Sequence, residues 1–445
     1  MSDEKNINPD EEPQLFSVKK GNDGGWQFSR RDFIKGAGAV GVVATLGGVS
    51  HAQDAEETPI PIPTIPKGLR AHADVINALA ISPDGKLLVS GGNDNKIKLW
   101  SLPDGGLIKT IESPVSDETF SPAIRSLLIS PDGTRLFSGG NDNDIRIWSL
   151  PDGELLNTLT LHTRVVTGLA ITPDGTLLIS GSASGNEQER FIVWSLPNGT
   201  AIKNLAKETN SRGAVAISPD GTMLVTSEPW GINFWSLPDF ELINTREGGS
   251  EHIIISPDGE RMVSCDNVYH RLNIRTFPRG SIIKMLDGHT DTINAIVITP
   301  DSKRIISAGD DHTIHFWSLD NRELLFSIQA TLKMGQYDSG VYGVKALAIT
   351  PDGTLLVSGA GDSTIKLWSL PDGIYVKDLI DIAVALPEFE GAQYSPNDEG
   401  SSVITLPCGS DIPTGSTCIC NCVAGGGCSC VGYSGSNGTH YWYPN

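Results

Sequence analysis

Apolar positions in this chain come in short runs rather than long periodic stretches. Over residues 77–82, 86–91, 96–101 and 106–111, four runs of about six residues are rich in Ile, Leu and Val. Gly, Pro, Asn or Asp interrupts each run before it reaches helical length, so the pattern predicts β-strands of ordinary size. The first two runs do not alternate cleanly between apolar and polar. That predicts a sheet covered on both faces.

The pattern then repeats. Ser82-Pro83-Asp84-Gly85 returns as Ser130-Pro131-Asp132-Gly133, Thr172-Pro173-Asp174-Gly175, Ser218-Pro219-Asp220-Gly221, Ser256-Pro257-Asp258-Gly259 and Thr350-Pro351-Asp352-Gly353, with Thr299-Pro300-Asp301-Ser302 as a worn copy. The spacing is 38 to 51 residues. Each copy carries a second phrase about 15 residues on, first as Ile97-Lys98-Leu99-Trp100-Ser101-Leu102-Pro103-Asp104-Gly105, in which a strand ending at Trp100 runs into a second turn signal, Leu-Pro-Asp-Gly; its counterparts carry Trp148, Trp194, Trp235, Trp317 and Trp368, with Arg275 in that place in copy five. Proline presets an early turn angle, Asp bonds its own backbone and Gly accepts positive φ, so each unit contains two turns. Four strands per unit and seven units predict an all-β fold, a seven-bladed β-propeller of four-stranded antiparallel blades.

These residues resemble the WD40-repeat family over about residues 70–380. Copies one and six carry a His before the first strand (His72, His289), a Ser in the second (Ser90, Ser307), an Asp before the third (Asp94, Asp311) and a Trp ending it (Trp100, Trp317). The resemblance implies a hydrogen-bonded brace among these four side chains. Trp-Ser replaces the Trp-Asp dipeptide that names the family. Copy three keeps His162, Ser180 and Trp194 but has an insertion at the Asp, and copies four and five lack most of the brace. The resemblance also implies a protein partner, a propeller that needs no cofactor, and a monomeric ring. Closure has two readings: each blade holds its own fourth strand, or residues 59–70 add an outer strand to the last blade.

Both ends depart from the repeat. Ser29-Arg30-Arg31-Asp32-Phe33-Ile34-Lys35, the apolar run 36–49 and Ser50-His51-Ala52 read as a twin-arginine export signal over residues 1–52. Its run is short and only mildly apolar for a membrane span. The expected protein is prokaryotic, periplasmic or extracellular, with no stable membrane span once the signal is removed; an uncleaved anchor is the alternative. Residues 53–69 form a Pro-rich linker with Pro59, Pro61, Pro63 and Pro66, and residues 381–407 a second connector.

Residues 408–445 form a Gly-rich tail with six of the seven cysteines: Cys408, Cys418, Cys420, Cys422, Cys428 and Cys430. Cys418, Cys420 and Cys422 share one face of a strand, and Cys428 and Cys430 can return beside them. Three readings stand: three disulfides in an exported segment, a thiolate metal site with His440 as a further ligand, or a processing or attachment signal. Cys265 reads as a small buried apolar residue.

Charge narrows the function. The net charge of −20 argues against nucleic acid, which needs clustered Lys and Arg. No Gly-x-Ser-x-Gly, His-Glu-x-x-His or phosphate-binding Gly loop occurs in the sequence. Asn93-Asp94-Asn95 and Asn141-Asp142-Asn143-Asp144 are turn pieces without the Gly and distal Glu of a calcium loop. The loops between second and third strands are altered in copies three, four and five and carry Arg190, Trp230, Tyr269, His270 and Arg271. These form a candidate binding arc on one face, set against simple loop drift. The leading expectation is a non-enzymatic, exported interaction scaffold. The alternative is an enzyme or metal-binding protein working through the tail or the propeller channel.

Overall fold

A computed structural model describes residues 70–114, 123–183, 191–196, 198–205, 213–228, 231–248, 250–331 and 342–380, together with the tail strands Gln393–Pro396, Ser401–Pro407, Thr417–Val423, Gly426–Ser434 and His440–Trp442. The signal, the linker, Arg190, Trp230 and Cys408 lie outside the described residues. Among the described residues no helix is long and apolar enough to cross a membrane.

Seven four-stranded antiparallel sheets follow one another along the chain, each made of consecutive strands. Blade one comprises Ile76–Ile81, Leu87–Gly92, Lys96–Ser101 and Leu107–Glu112. Blade seven comprises Val344–Ile349, Leu355–Ala360, Ile365–Ser369 and Ile374–Leu379. The blades form a seven-bladed β-propeller.

Burial falls from the axis outward. The second strand Leu87–Gly92 is buried at five of six positions, whereas the fourth strand Leu107–Glu112 is exposed at four. This gradient explains why the inner runs lack alternation: neighbouring blades cover both faces of the second and third strands. Seven apolar clusters fill the seven junctions. Between blades one and two, Val89, Leu99 and Ile111 pack on Ile124, Leu136 and Trp148. Between blades seven and one, Val357, Ile365 and Leu379 pack on Leu88 and Trp100. Each fully buried side chain of this kind contributes about 1.5–3 kcal/mol.

The ring closes by that last junction. Blade seven takes its fourth strand from its own repeat, and the amides of Ala71 and His72 both donate to the Ser363 carbonyl in blade seven, at 3.0 and 3.3 Å.

The Ser-Pro-Asp-Gly turn shows why the phrase recurs. Ser82 Oγ donates to Asp84 Oδ1 (2.5 Å), which also accepts from the Lys86 amide at 3.1 Å. The Leu87 amide donates back to Ser82 Oγ at 2.9 Å, and Gly85 holds φ +72°. These hydrogen bonds, from Ser82 first and then the Lys86 backbone, keep the Asp84 carboxyl below its ordinary range. The acid is part of the turn.

Candidate functional site

Two kinds of position carry the repeat's polar chemistry: the buried brace inside each blade, and the turns that project from one face of the ring.

The brace is laid out most fully in blades one and six. In blade six, Trp317 Nε1 donates to Ser307 Oγ at 2.9 Å, His289 Nε2 lies 2.8 Å from the same hydroxyl, and His289 Nδ1 lies 2.7 Å from Asp311 Oδ2. Blade one repeats this with Trp100–Ser90 at 2.8 Å, His72–Ser90 at 2.7 Å and His72–Asp94 at 2.9 Å. An ionised carboxylate only accepts, so Nδ1 carries the proton. Nε2 then accepts from the serine, whose oxygen accepts from the indole. One relay ties the third strand, the second strand, the turn between them and the chain entering the blade.

Burial pushes the Asp94 carboxyl upward. The His72 hydrogen bond, with the Ala73 and Lys96 backbone amides, outweighs it and holds Asp94 below its ordinary value. Asp311 is displaced further in the same direction by the same opposing causes, with His289 as its partner.

The other blades use parts of this device. Trp194 and His162 both reach Ser180, at 2.8 and 2.6 Å. Trp148 reaches Ser138 at 2.8 Å, and Trp368 reaches Ser358 at 2.9 Å. In blade four the hydroxyl comes from Thr226, 2.9 Å from Trp235 Nε1.

Blade five substitutes its components. Arg275 Nε donates to Ser264 Oγ at 3.2 Å, the place an indole N–H fills elsewhere. Its other nitrogens reach the carbonyls of Gly280 (3.1 Å) and Glu247 (3.4 Å). Copies four and five lack the histidine but retain the hydroxyl-centred link. In blade five a scan for His and Trp alone misses it; Ser264 and Arg275 at matching repeat positions are the available signal.

Blades four and five also differ at the axis. Their first strands, Val215–Ile217 and Ile253–Ile255, have three residues, against six in the other five blades. Asn233 and Asn273 occupy equivalent third-strand places, and each leaves one buried amide atom without a hydrogen-bond partner.

The turn of blade five joins Arg261–Asp266 to Arg271–Thr276. Here the structure brings together Tyr269, His270 and Arg271. The Arg271 guanidinium lies 4.5 Å from the Tyr269 ring centroid and 3.1 Å from Asp266 Oδ2. Asn267 anchors the turn to its neighbours: its Nδ2 donates to Glu251 at 3.0 Å, and its Oδ1 accepts from the Ile293 amide of blade six at 3.2 Å. His270 sits at φ +52°, with Nδ1 buried and unpaired. Val268 is 79 % exposed and Tyr269 65 %, the two highest values among the described large apolar residues.

One cluster has metal-ligand composition. His289, Asp311 and His315 are buried, with ligand atoms within 4.8 Å of one another. The His289 nitrogens face Asp311 and Ser307, and His315 Nδ1 lies 3.1 Å from Ser327 Oγ. The His315 ring stacks on Trp317 with centroids 5.4 Å apart. Burial first, then the neighbouring His289, pushes the His315 pKa down to about 4. This arrangement is an extension of the brace. In the tail, Cys418, Cys420, Cys422, Cys428, Cys430 and His440 all lie on described strands.

Comparison with known proteins follows the same division. The family "WD domain, G-beta repeat" matches residues 64–101, 113–149, 153–186, 280–318 and 330–369. These fall on the inner strands of blades one, two, three, six and seven, and pass over those of the two divergent blades. Residues 27–47 match the family "TAT (twin-arginine translocation) pathway signal sequence".

Among curated proteins, the chain is 34 % identical over 104 residues to the small ribosomal subunit protein RACK1 of Drosophila melanogaster, covering 22 % of this chain and 30 % of that protein. It is 28 % identical over 124 residues to the CCR4-associated factor 4 homolog of Candida glabrata, covering 28 % of this chain and 21 % of the relative. It is 25 % identical over 331 residues to Striatin-3 of Bos taurus, covering 70 % of this chain and 29 % of that protein. The chain spans less than a third of the length of each of these relatives. The seven-bladed ring, the hydroxyl-centred brace and the matched repeats identify this chain as a WD40-repeat β-propeller bearing a twin-arginine export signal.

Proposed function

We propose that this protein is a non-enzymatic interaction scaffold working in the periplasm or outside the cell, and that its partner docks on the turns of blades four and five. One observation carries the reading. The most exposed apolar pair, Val268 and Tyr269, stands on a turn braced by Asp266, Arg271 and Asn267, in one of the two blades that depart from the repeat. Large side chains held rigid before binding lose little entropy on contact, and Tyr and Arg are the usual anchors of protein interfaces. Trp230 from the adjoining turn of blade four belongs to the same proposed surface, and Arg190 of blade three extends it.

Family likeness supports a protein partner without naming it, since function lies in sites carried by a fold. The test is a binding measurement with the natively exported protein. Tyr269→Ala combined with Trp230→Ala is expected to abolish capture of the partner at an unchanged melting temperature. Full binding by that variant would remove these turns from consideration.

A further inference from the structure

The tail strands pair in a register that singles out four cysteines. Thr417–Val423 and Gly426–Ser434 form an antiparallel hairpin in which Cys420 stands opposite Cys430 and Cys422 opposite Cys428. Cys418 stands opposite Tyr433. The register shifts twice, between Ile419 and Cys420 and between Cys422 and Val423. Ile419 pairs with Gly432 and Cys420 with Cys430, so Val431 is passed over; Val423 pairs with Gly426, so Gly427 is passed over. A hairpin continued from Ile419–Gly432 without the first shift would place Cys420 opposite Val431 and Cys422 opposite Ser429. The two bulges bracket the cysteines and bring them into line.

Distances then select the partners. Directly opposed residues of an antiparallel pair have Cα atoms about 4.5–5.5 Å apart, inside the roughly 4.4–6.8 Å range of disulfides. Diagonal positions are about 7–8 Å apart. The two classes of opposed pair alternate along a strand, so residues two apart belong to the same class. Both cysteine pairs therefore meet the same geometry, on the same face.

We infer that the exported protein carries two parallel cross-strand disulfides, Cys420–Cys430 and Cys422–Cys428. Each bridge forms as two thiols lose two protons and two electrons to make one S–S bond. The acceptor is the disulfide of a thiol–disulfide oxidoreductase, which leaves as a dithiol after exchange. The step rests on export, because cytosolic thiols are kept reduced. The tail sheet is short and Gly-rich, and two bridges in one hairpin would lock a register that few apolar side chains can hold.

Thiol counting tests the pairing. Residues 378–445 contain no Lys or Arg, so one tryptic peptide holds all six tail cysteines and excludes Cys265. The exported protein is unfolded in denaturant with EDTA, labelled with N-ethylmaleimide, and digested. Loss of the signal, read from intact mass, certifies export before thiols are counted. Cys420, Cys422, Cys428 and Cys430 are expected to label only after reduction. C420S/C430S and C422S/C428S should each show the wild-type label count, and C420S/C428S should show two more labels. Labelling of the four residues without reduction would overturn the inference, whether they had been free or metal-bound. Two extra labels in C420S/C430S with none in C420S/C428S would overturn the pairing in favour of the diagonals.

Discussion

Removing the brace hydroxyl should cost more in blade six than in blade seven, by an amount countable from the hydrogen bonds. Ser307 is fully buried and its oxygen serves two partners, the Trp317 indole at 2.9 Å and His289 Nε2 at 2.8 Å. Ser358 is 3 % exposed, and its hydroxyl serves the Trp368 indole at 2.9 Å. Serine to alanine removes one oxygen and leaves the backbone and Cβ in place, so the cavity formed is small. The main cost is the orphaned group: about 1–3 kcal/mol for each buried polar atom left without a partner. Ser358→Ala orphans one such atom and should cost about 1–3 kcal/mol. Ser307→Ala orphans two and should cost roughly 2–6 kcal/mol, a large share of the 5–15 kcal/mol typical of a whole domain. Urea titration of the mature protein, followed by tryptophan fluorescence, would read the difference as a shift in midpoint at constant slope. Equal shifts for the two variants would refute the two-partner reading of Ser307.

Three further outcomes follow, two from the geometry and one from the sequence of the export signal. His315 is held neutral, with its pKa lowered from 6.5 to about 4, so its stabilising contribution is present above pH 6.5 and is lost as pH falls toward 4. That is roughly 3 kcal/mol at 1.36 kcal/mol per unit, and His315→Gln should flatten the pH 7.5-to-4.5 stability profile by a comparable amount in urea titrations. Gly280→Ala should destabilise more than Gly259→Ala by about 1–3 kcal/mol in thermal unfolding. Both sit near φ +70°, but a Cβ at Gly280 would lie 2.6 Å from Phe234 Cζ, whereas one at Gly259 meets nothing within 4 Å. Arg30→Lys combined with Arg31→Lys should retain the precursor in the cytoplasm, read by fractionation and intact mass.

The fold was legible because turn chemistry and strand length repeat seven times in register. Of the two closures open to the ring, the one in which each blade holds its own fourth strand is observed, with Ile374–Leu379 completing the last blade, and the strands predicted for blade one lie within one residue of the observed ones. The full braces were legible where all four residue types coincide, as at His72, Ser90, Asp94 and Trp100. Arg275 was harder to place, since its role depends on the Glu247 carbonyl brought close by the short entry into blade five. The half-length first strands of blades four and five also escaped notice, because Val215–Ile217 and Ile253–Ile255 lie within apolar runs like those elsewhere. Tyr269, His270 and Arg271 stood out by departing from the repeat. The seat of the Arg271 guanidinium over the Tyr269 ring and the Asn267 anchor to Ile293 are tertiary facts that no linear spacing encodes. In the tail, Cys-x-Cys spacing indicated a shared face but could not supply the two bulges that set the register.

The central claim is that a protein partner meets the ring at the turn of blade five. Site-specific photocrosslinking tests it most directly, with a photoreactive residue at position 269 and a control at Ile243, which is 58 % exposed on the outer strand of blade four. Irradiation of exporting cells should give a discrete adduct with one exported protein from position 269 and none from position 243. Adducts of the same pattern from both positions, or from position 243 alone, would contradict the account.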